Sequence, residues 1–161
     1  MIRPRACFAA SPTLNRRGLL AWSLALCLAF PLTALGADEE EKGPPEPEDI
    51  ELVTKDGVKL KATWYASNKK KEAVPVILLH QFHGNRGDFR DLALFLQREK
   101  GHAVIVPDLR GHGDSLVWER AGATGRFDVE RLRPEEFDLM ATEDVEAVKR
   151  FLMRKNNEQE L

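Results

Sequence analysis

At 161 residues, with 24 basic and 26 acidic side chains and a formal net charge of −2, the chain has room for one domain. It lacks the positive excess of a nucleic-acid binder. Its two cysteines, Cys7 and Cys27, both lie in the amino-terminal leader. The remainder therefore carries no disulfide, no thiol nucleophile and no Cys-ligated zinc site.

That leader begins with Arg3, Arg5, Arg16 and Arg17 and continues as an uncharged apolar run over residues 18–35. Ala34 and Gly36 then place small residues where a signal peptidase reads. The expectation is a signal peptide over residues 1–37 and an exported protein, periplasmic or secreted. The alternative is a retained membrane anchor over residues 18–35, although Pro31 interrupts the run and its length is marginal for spanning. Arg16-Arg17-Gly18-Leu19-Leu20 is a partial twin-arginine pattern, with Asn15 where Ser or Thr is usual. Leu26 before Cys27 argues against lipidation. Cleavage would remove four arginines and no acid, taking the net charge to about −6 and further disfavouring nucleic acid.

Residues 38–49 are acidic, proline-rich and almost free of apolar side chains, the composition of a solvated linker. Order is expected from about Ile50. Residues 51–55 and 58–65 flank Asp56-Gly57, a two-residue hairpin signal. In the second strand Val58, Leu60, Ala62 and Trp64 alternate with Lys59, Lys61 and Thr63, which predicts one buried and one wet face. Lys69, Lys70 and Lys71 suit an exposed loop.

Residues 74–79 are apolar on both faces, as in a central parallel strand. A helix is predicted over residues 88–100, with Phe89, Leu92, Ala93, Phe95 and Leu96 on its apolar face and Gly101 as its stop. Residues 103–106 form the next buried strand. Residues 116–133 are charged and irregular, suggesting a surface excursion. Phe137, Met140, Ala141, Val145, Val148, Phe151 and Leu152 then keep helical spacing after Pro134. This is one helix, or two with a restart at Thr142.

The most informative residues are His80-Gln81-Phe82-His83-Gly84 after one strand and Asp108-Leu109-Arg110-Gly111-His112-Gly113-Asp114-Ser115 after the next. Glycine-rich turns at the carboxyl ends of parallel strands are where open α/β sheets place their ligands. In these motifs the chain resembles the amino-terminal half of an α/β-hydrolase. The resemblance implies an α/β fold over residues 50–161: an amino-terminal hairpin, then parallel β-α-β units, with the sequence stopping before the fifth strand.

By the same resemblance, a backbone N–H of Phe82 or Gln81 would donate to a developing oxyanion. Gln81 stands where the family usually has Gly, so its backbone must keep φ below zero. His80, Gly84, Asp108, Arg110, Gly111, His112 and Gly113 would shape the site loops rather than perform chemistry. Intact relatives hydrolyse esters, peptides or related bonds of small-molecule substrates by a serine mechanism, without a cofactor.

No Ser follows Ser115, and Ser115 lacks the Gly-x-Ser-x-Gly elbow. The nucleophile, acid and base are therefore expected to be missing, and this chain alone to be inactive. Two further readings remain: a non-catalytic exported module that needs a partner chain to complete its sheet, and a small metal enzyme. The latter would use His80, His83, Asp108, His112 and Asp114. However, His80-x-x-His83 in a loop lacks the helical spacing and acid of a zinc motif. The expectation is no metal, and no membrane contact beyond an uncleaved signal.

Overall fold

In the computed structural model, which describes residues 43–160, the alternating strand is β2 (Val58–Tyr65). Val58, Leu60, Ala62 and Trp64 are buried on one face, each worth roughly 1.5–3 kcal/mol for the larger side chains. On the other face Lys59 pairs with Glu119, Lys61 with Glu51, and Thr63 donates to Asp49. The expected signal peptide or anchor over residues 1–37 lies outside the described residues.

β1 (Glu48–Val53) starts two residues inside the expected linker, because Glu48 and Asp49 pair with Trp64 and Thr63. Upstream, the Pro45 carbonyl accepts from Gln97 Nε2 at 2.9 Å and Glu46 pairs with Arg98 at 3.4 Å. The tight two-residue turn is also corrected. Val53 pairs with Lys59, and Thr54 closes a longer loop, its Oγ1 accepting from the Val58 N–H at 2.8 Å. Asp56 is thereby freed to face Arg110 and Arg120. Gly57 adopts φ 82°, and a Cβ there would collide with the Glu119 carbonyl.

β3 (Pro75–Ile77) is shorter than the apolar run that contains it. It pairs in parallel with β4 (Ala103–Pro107), which is buried throughout. β4 in turn pairs antiparallel with residues 62–65 of β2, whose other side carries β1. Among the described residues β3 is therefore an edge strand, and Val74 and Leu79 beside it are exposed. The central position expected for residues 74–79 is not observed; a run apolar on both faces does not specify which strand covers its outer edge.

Between β3 and β4 a capping box formed by Asn85 and Asp88 opens a 3-10 turn, Arg86–Phe89, that leads into α1 (Arg90–Arg98). Gly101 at φ 69° ends it through bonds from the Gly101 N–H to Gln97 O and from the His102 N–H to Leu96 O. The buried face differs from expectation: Ala93 and Gln97 are enclosed, while Leu92 and Phe95 are exposed. Gln97 can occupy the interior because Nε2 reaches the carbonyls of Pro45 and Ala66.

Residues 116–133 contain a hairpin that the charge pattern concealed. β5 (Val117–Arg120) and β6 (Ala123–Arg126) are joined at Ala121 and Gly122, both left-handed, the geometry of a type I′ turn. β5 continues the sheet by pairing with Val58 and Lys59.

The carboxyl-terminal helix is continuous. α2 (Pro134–Leu139) passes through a π-helical turn, Met140–Asp144, into α3 (Val145–Asn157). Thr142 is not a cap; its hydroxyl donates to the Asp138 carbonyl at 3.0 Å. α3 buries Ala147, Val148, Phe151 and Leu152 against one sheet face, with Phe151 edge-on to Trp64 at 5.3 Å. α1 covers the other face around Tyr65, Val104 and Val106. No helix among the described residues is long and apolar enough to cross a membrane.

Candidate active site

The loops that leave β3 and β4 lie side by side, joined by the imidazole of His80. Its Nδ1 is 2.8 Å from the Gln81 carbonyl and its Nε2 is 3.0 Å from the Leu109 amide nitrogen. A carbonyl only accepts and an N–H only donates, so Nδ1 carries the proton and Nε2 accepts. Both ring nitrogens are thus engaged by main chain, leaving His80 no lone pair for a metal. Among the described residues no cluster of three His, Cys, Asp or Glu side chains has metal-binding geometry.

Residues 81–84 form a turn closed by the Gly84 N–H on the Gln81 carbonyl at 2.9 Å. His83 takes the left-handed conformation at φ 63°, and Gln81 does not. His tolerates that region better than most residues. A turn of this kind leaves the N–H of its second residue, Phe82, unused. Among the described residues the Phe82 amide has no protein acceptor. Phe82 is about half exposed. Gly84 sits tightly against His80 and Asp88, where a side chain would not fit.

Asp108, fully buried, clamps three segments together. It accepts from the Arg86 amide at 2.6 Å, from the Arg86 guanidinium, and from the Asp114 amide at 2.9 Å. Gly113 at φ 50° leaves that carboxylate the space a Cβ would fill, and Gly111 at φ 78° packs on Leu132. Ser115 is equally committed: its hydroxyl donates to the Asp108 carbonyl at 2.7 Å and accepts from the Lys61 amide at 2.7 Å. Fully buried and doubly bonded, it has no exposed oxygen with which to attack a substrate.

Arg110 is the centre of a buried ionic network. It donates to Asp144 at 2.7 and 3.0 Å, to Asp56 at 2.8 and 3.1 Å, and to Glu136 at 3.0 Å. Arg120 also reaches Asp56, and Arg133 reaches Glu136. Burial opposes its charge, but the hydrogen bonds Arg110 donates to these carboxylates raise its affinity for its proton above the ordinary value. Burial likewise opposes ionisation of Asp56 and Glu136, and their arginine partners outweigh it, holding both below the usual carboxylate range.

His112 completes the loops. Its ring is 3% exposed, its Nδ1 lies 3.0 Å from the Arg110 carbonyl, and its Nε2 has no partner among the described residues. Burial, chiefly, keeps its pKa below the ordinary imidazole value. A cavity of about 130 Å³ opens between His80, Gln81, Phe82, Leu109, His112, Phe137 and Met140.

Residues 74–160, over half of the chain, match the family model described as alpha/beta hydrolase fold. The chain belongs to the α/β-hydrolase family. Lipase 1 of Psychrobacter immobilis is 30% identical over 136 residues, covering 84% of this chain and 39% of the lipase. The structure of the Pyrococcus furiosus esterase Pf2001 superposes with a TM-score of 0.52 at 26% identity, over 71% of this chain and 38% of that one. The chain thus spans about two fifths of the length of these relatives.

The site loops legible in the motifs are together: His80, Asp108, Arg110 and His112 all join the β3 and β4 loops to their surroundings. The acidic partners of Arg110 were not legible. Asp56 lies in a hairpin turn, Glu136 and Asp144 on the last helix, and only an unexplained arginine in a buried motif hinted that carboxylates must converge on it.

Proposed function

We propose that the protein belongs to a lipase- or esterase-type hydrolase and that its described residues supply the oxyanion-binding half of the site. The observation that carries this reading is the unpaired Phe82 N–H, held in place by the Gln81–Gly84 turn and the His80 bridge to Leu109. In an ester hydrolysis that donor would stabilise the negative oxygen of the tetrahedral intermediate, where such a donor is worth about 10²–10³ in rate. The names of the lipase and the esterase favour carboxylic esters over other bonds.

The nucleophile would come from a segment or chain bearing a Gly-x-Ser-x-Gly elbow, which this sequence does not contain. The 161-residue chain alone would then be inactive. The protein would be exported by its leader, periplasmic or secreted, with no cofactor. A second reading, a non-catalytic module completed by a partner chain, is favoured by the unpaired β3 edge and the exposed Val74 and Leu79 beside it.

The test is tagged full-length protein recovered from its exporting host and treated with a fluorophosphonate. The expected result is label on a co-purifying or continuous polypeptide with ester turnover, and none on the 161-residue chain. Heat-sensitive label on that chain itself would overturn the assignment of the nucleophile elsewhere. Stoichiometric recovery of a partner with neither label nor turnover would favour the binding module. Amino-terminal sequencing that finds Met1 retained would remove the signal peptide.

A further inference from the structure

Tyr65, the last residue of β2, is 4% exposed, yet its hydroxyl bonds to no protein group among the described residues. The hydroxyl is not sealed off from solvent, and Tyr65 lines a cleft of about 670 Å³ with Asp49, Asn85, Arg86, Arg90 and Asp114. The charges that act on the hydroxyl are those of Arg90, Asp49 and Arg86, all walls of this cleft, so the oxygen faces into it. Burial, chiefly, raises its pKa above the ordinary phenol value, and it remains a hydrogen-bond donor. A polar group on so enclosed a side chain ordinarily finds a partner. The volume is that of a small-molecule site.

The charges around the hydroxyl are unevenly matched. Arg86 is engaged by Asp108 and by Asp114 at 2.9 Å, with Asp49 at 3.8 Å. Glu46, which also lines the cleft, pairs with Arg98 at 3.4 Å. The guanidinium of Arg90, at the start of α1, has no partner among the described residues. Asp49 and Asp114 are largely exposed, and each keeps one carboxylate oxygen without a partner among those residues. A simple anion would answer Arg90 but meet the two carboxylates. A simple cation would leave Arg90 and the Tyr65 hydroxyl unanswered, and a neutral polyol would leave Arg90 without a counter-charge. A molecule carrying both charges answers both sides, and a carboxylate is the group that the guanidinium fork fits.

We propose that this cleft binds a small zwitterion of the amino-acid class, its carboxylate on Arg90 and the Tyr65 hydroxyl and its ammonium on Asp49 and Asp114. The cleft shares no lining residue with the cavity beside Phe82, so the proposal stands apart from the hydrolase reading.

The experiment titrates the full chain near neutral pH with alanine, with alaninamide, which keeps only the ammonium, and with N-acetylalanine, which keeps only the carboxylate. Alanine should bind saturably, and about ten-fold or more tightly than either derivative, the worth of one charge-assisted contact. Tyr65→Phe removes a hydroxyl with no protein partner, so it should weaken alanine binding about ten-fold without lowering the melting temperature. Arg90→Gln, an exposed change, should bring alanine down to the level of alaninamide. Equal binding of the three, preference for either singly charged derivative, or no saturable binding of alanine would overturn the site. So would a Tyr65→Phe variant that melts like the unaltered protein and binds alanine equally well. If Tyr65→Phe does melt earlier, its hydroxyl serves the fold and the proposal falls with it.

Discussion

Arg110 is fully enclosed, and its five N–H donors meet three carboxylates that come from separate parts of the chain. Removing the cation would strand the charge of buried Glu136 and Asp144 and weaken the pairing of half-buried Asp56, which keeps Arg120. Arg110→Met should cost about 3–5 kcal/mol in urea unfolding; a loss below about 1 kcal/mol would mean that the network contributes little. His112 is also singular among the site residues because burial, first, and then the nearby His80 and His83 lower its pKa below 6.5, although Asp108 and the Arg110 carbonyl favour its proton. The unfolded chain therefore binds the extra proton more readily. The stability due to neutral His112 is complete above about pH 6.5 and is lost as pH falls below it toward the depressed folded value. His112→Phe should flatten the slope of stability against pH just below 6.5, measured by urea midpoints from pH 5 to pH 8; an unchanged slope would sink the assignment.

At the scale of elements, the π-helical turn Met140–Asp144 explains how one helix serves two tasks. Its wider turn lets Glu136 and Asp144 both reach Arg110 while Val148, Phe151 and Leu152 still face the sheet. β3 poses the opposite problem: an edge strand three residues long, flanked by exposed Val74 and Leu79, with exposed Met153 on the neighbouring helix. Unpaired strand edges bearing apolar side chains recruit other strands, and lysine on the edge discourages this. Val74→Lys should reduce self-association at micromolar concentration without lowering the melting temperature. Sedimentation velocity on the variant and the unaltered protein side by side checks this, and identical profiles would place the association elsewhere. The β1–β2 loop offers a third case. Gly57 at φ 82° lies against the Glu119 carbonyl, so Gly57→Ala should destabilise by about 1–3 kcal/mol and loosen β5 from β2. Faster amide exchange at Glu119, whose N–H now donates to the Gly57 carbonyl at 2.7 Å, would report it.

Over the whole molecule, one mixed sheet carries α3 on one face and α1 on the other, and the site loops sit between the sheet and the final helix. The ionic network links this assembly from the first hairpin (Asp56) to the last helix (Asp144), which are 88 positions apart in the numbering of the chain. Loss of either end should therefore unfold the described residues in one step. Asp144→Leu, which also leaves Arg110 without its closest partners, should lower the midpoints followed by Trp fluorescence and by circular dichroism together. Separated midpoints would show that the hairpin and the helix melt independently.

Much of this architecture was legible in the sequence because it depends on local periodicity and local stereochemistry. Alternation over residues 58–65, the helical stop at Gly101, and the two Gly-rich loops after apolar strands each follow from residues close together in the chain. The left-handed residue at His83 was not legible, although a φ below zero at Gln81 was required in advance. Tertiary structure alone decided the rest. It turned a charged stretch into the β5–β6 hairpin by pairing it with β2, and it gave Gln97 a buried place through carbonyls of distant segments. It also gathered Asp56, Glu136 and Asp144 around Arg110. Periodicity can state which face of an element avoids water, but a buried charge is satisfied by whichever partner the fold brings near, and nothing local encodes that meeting.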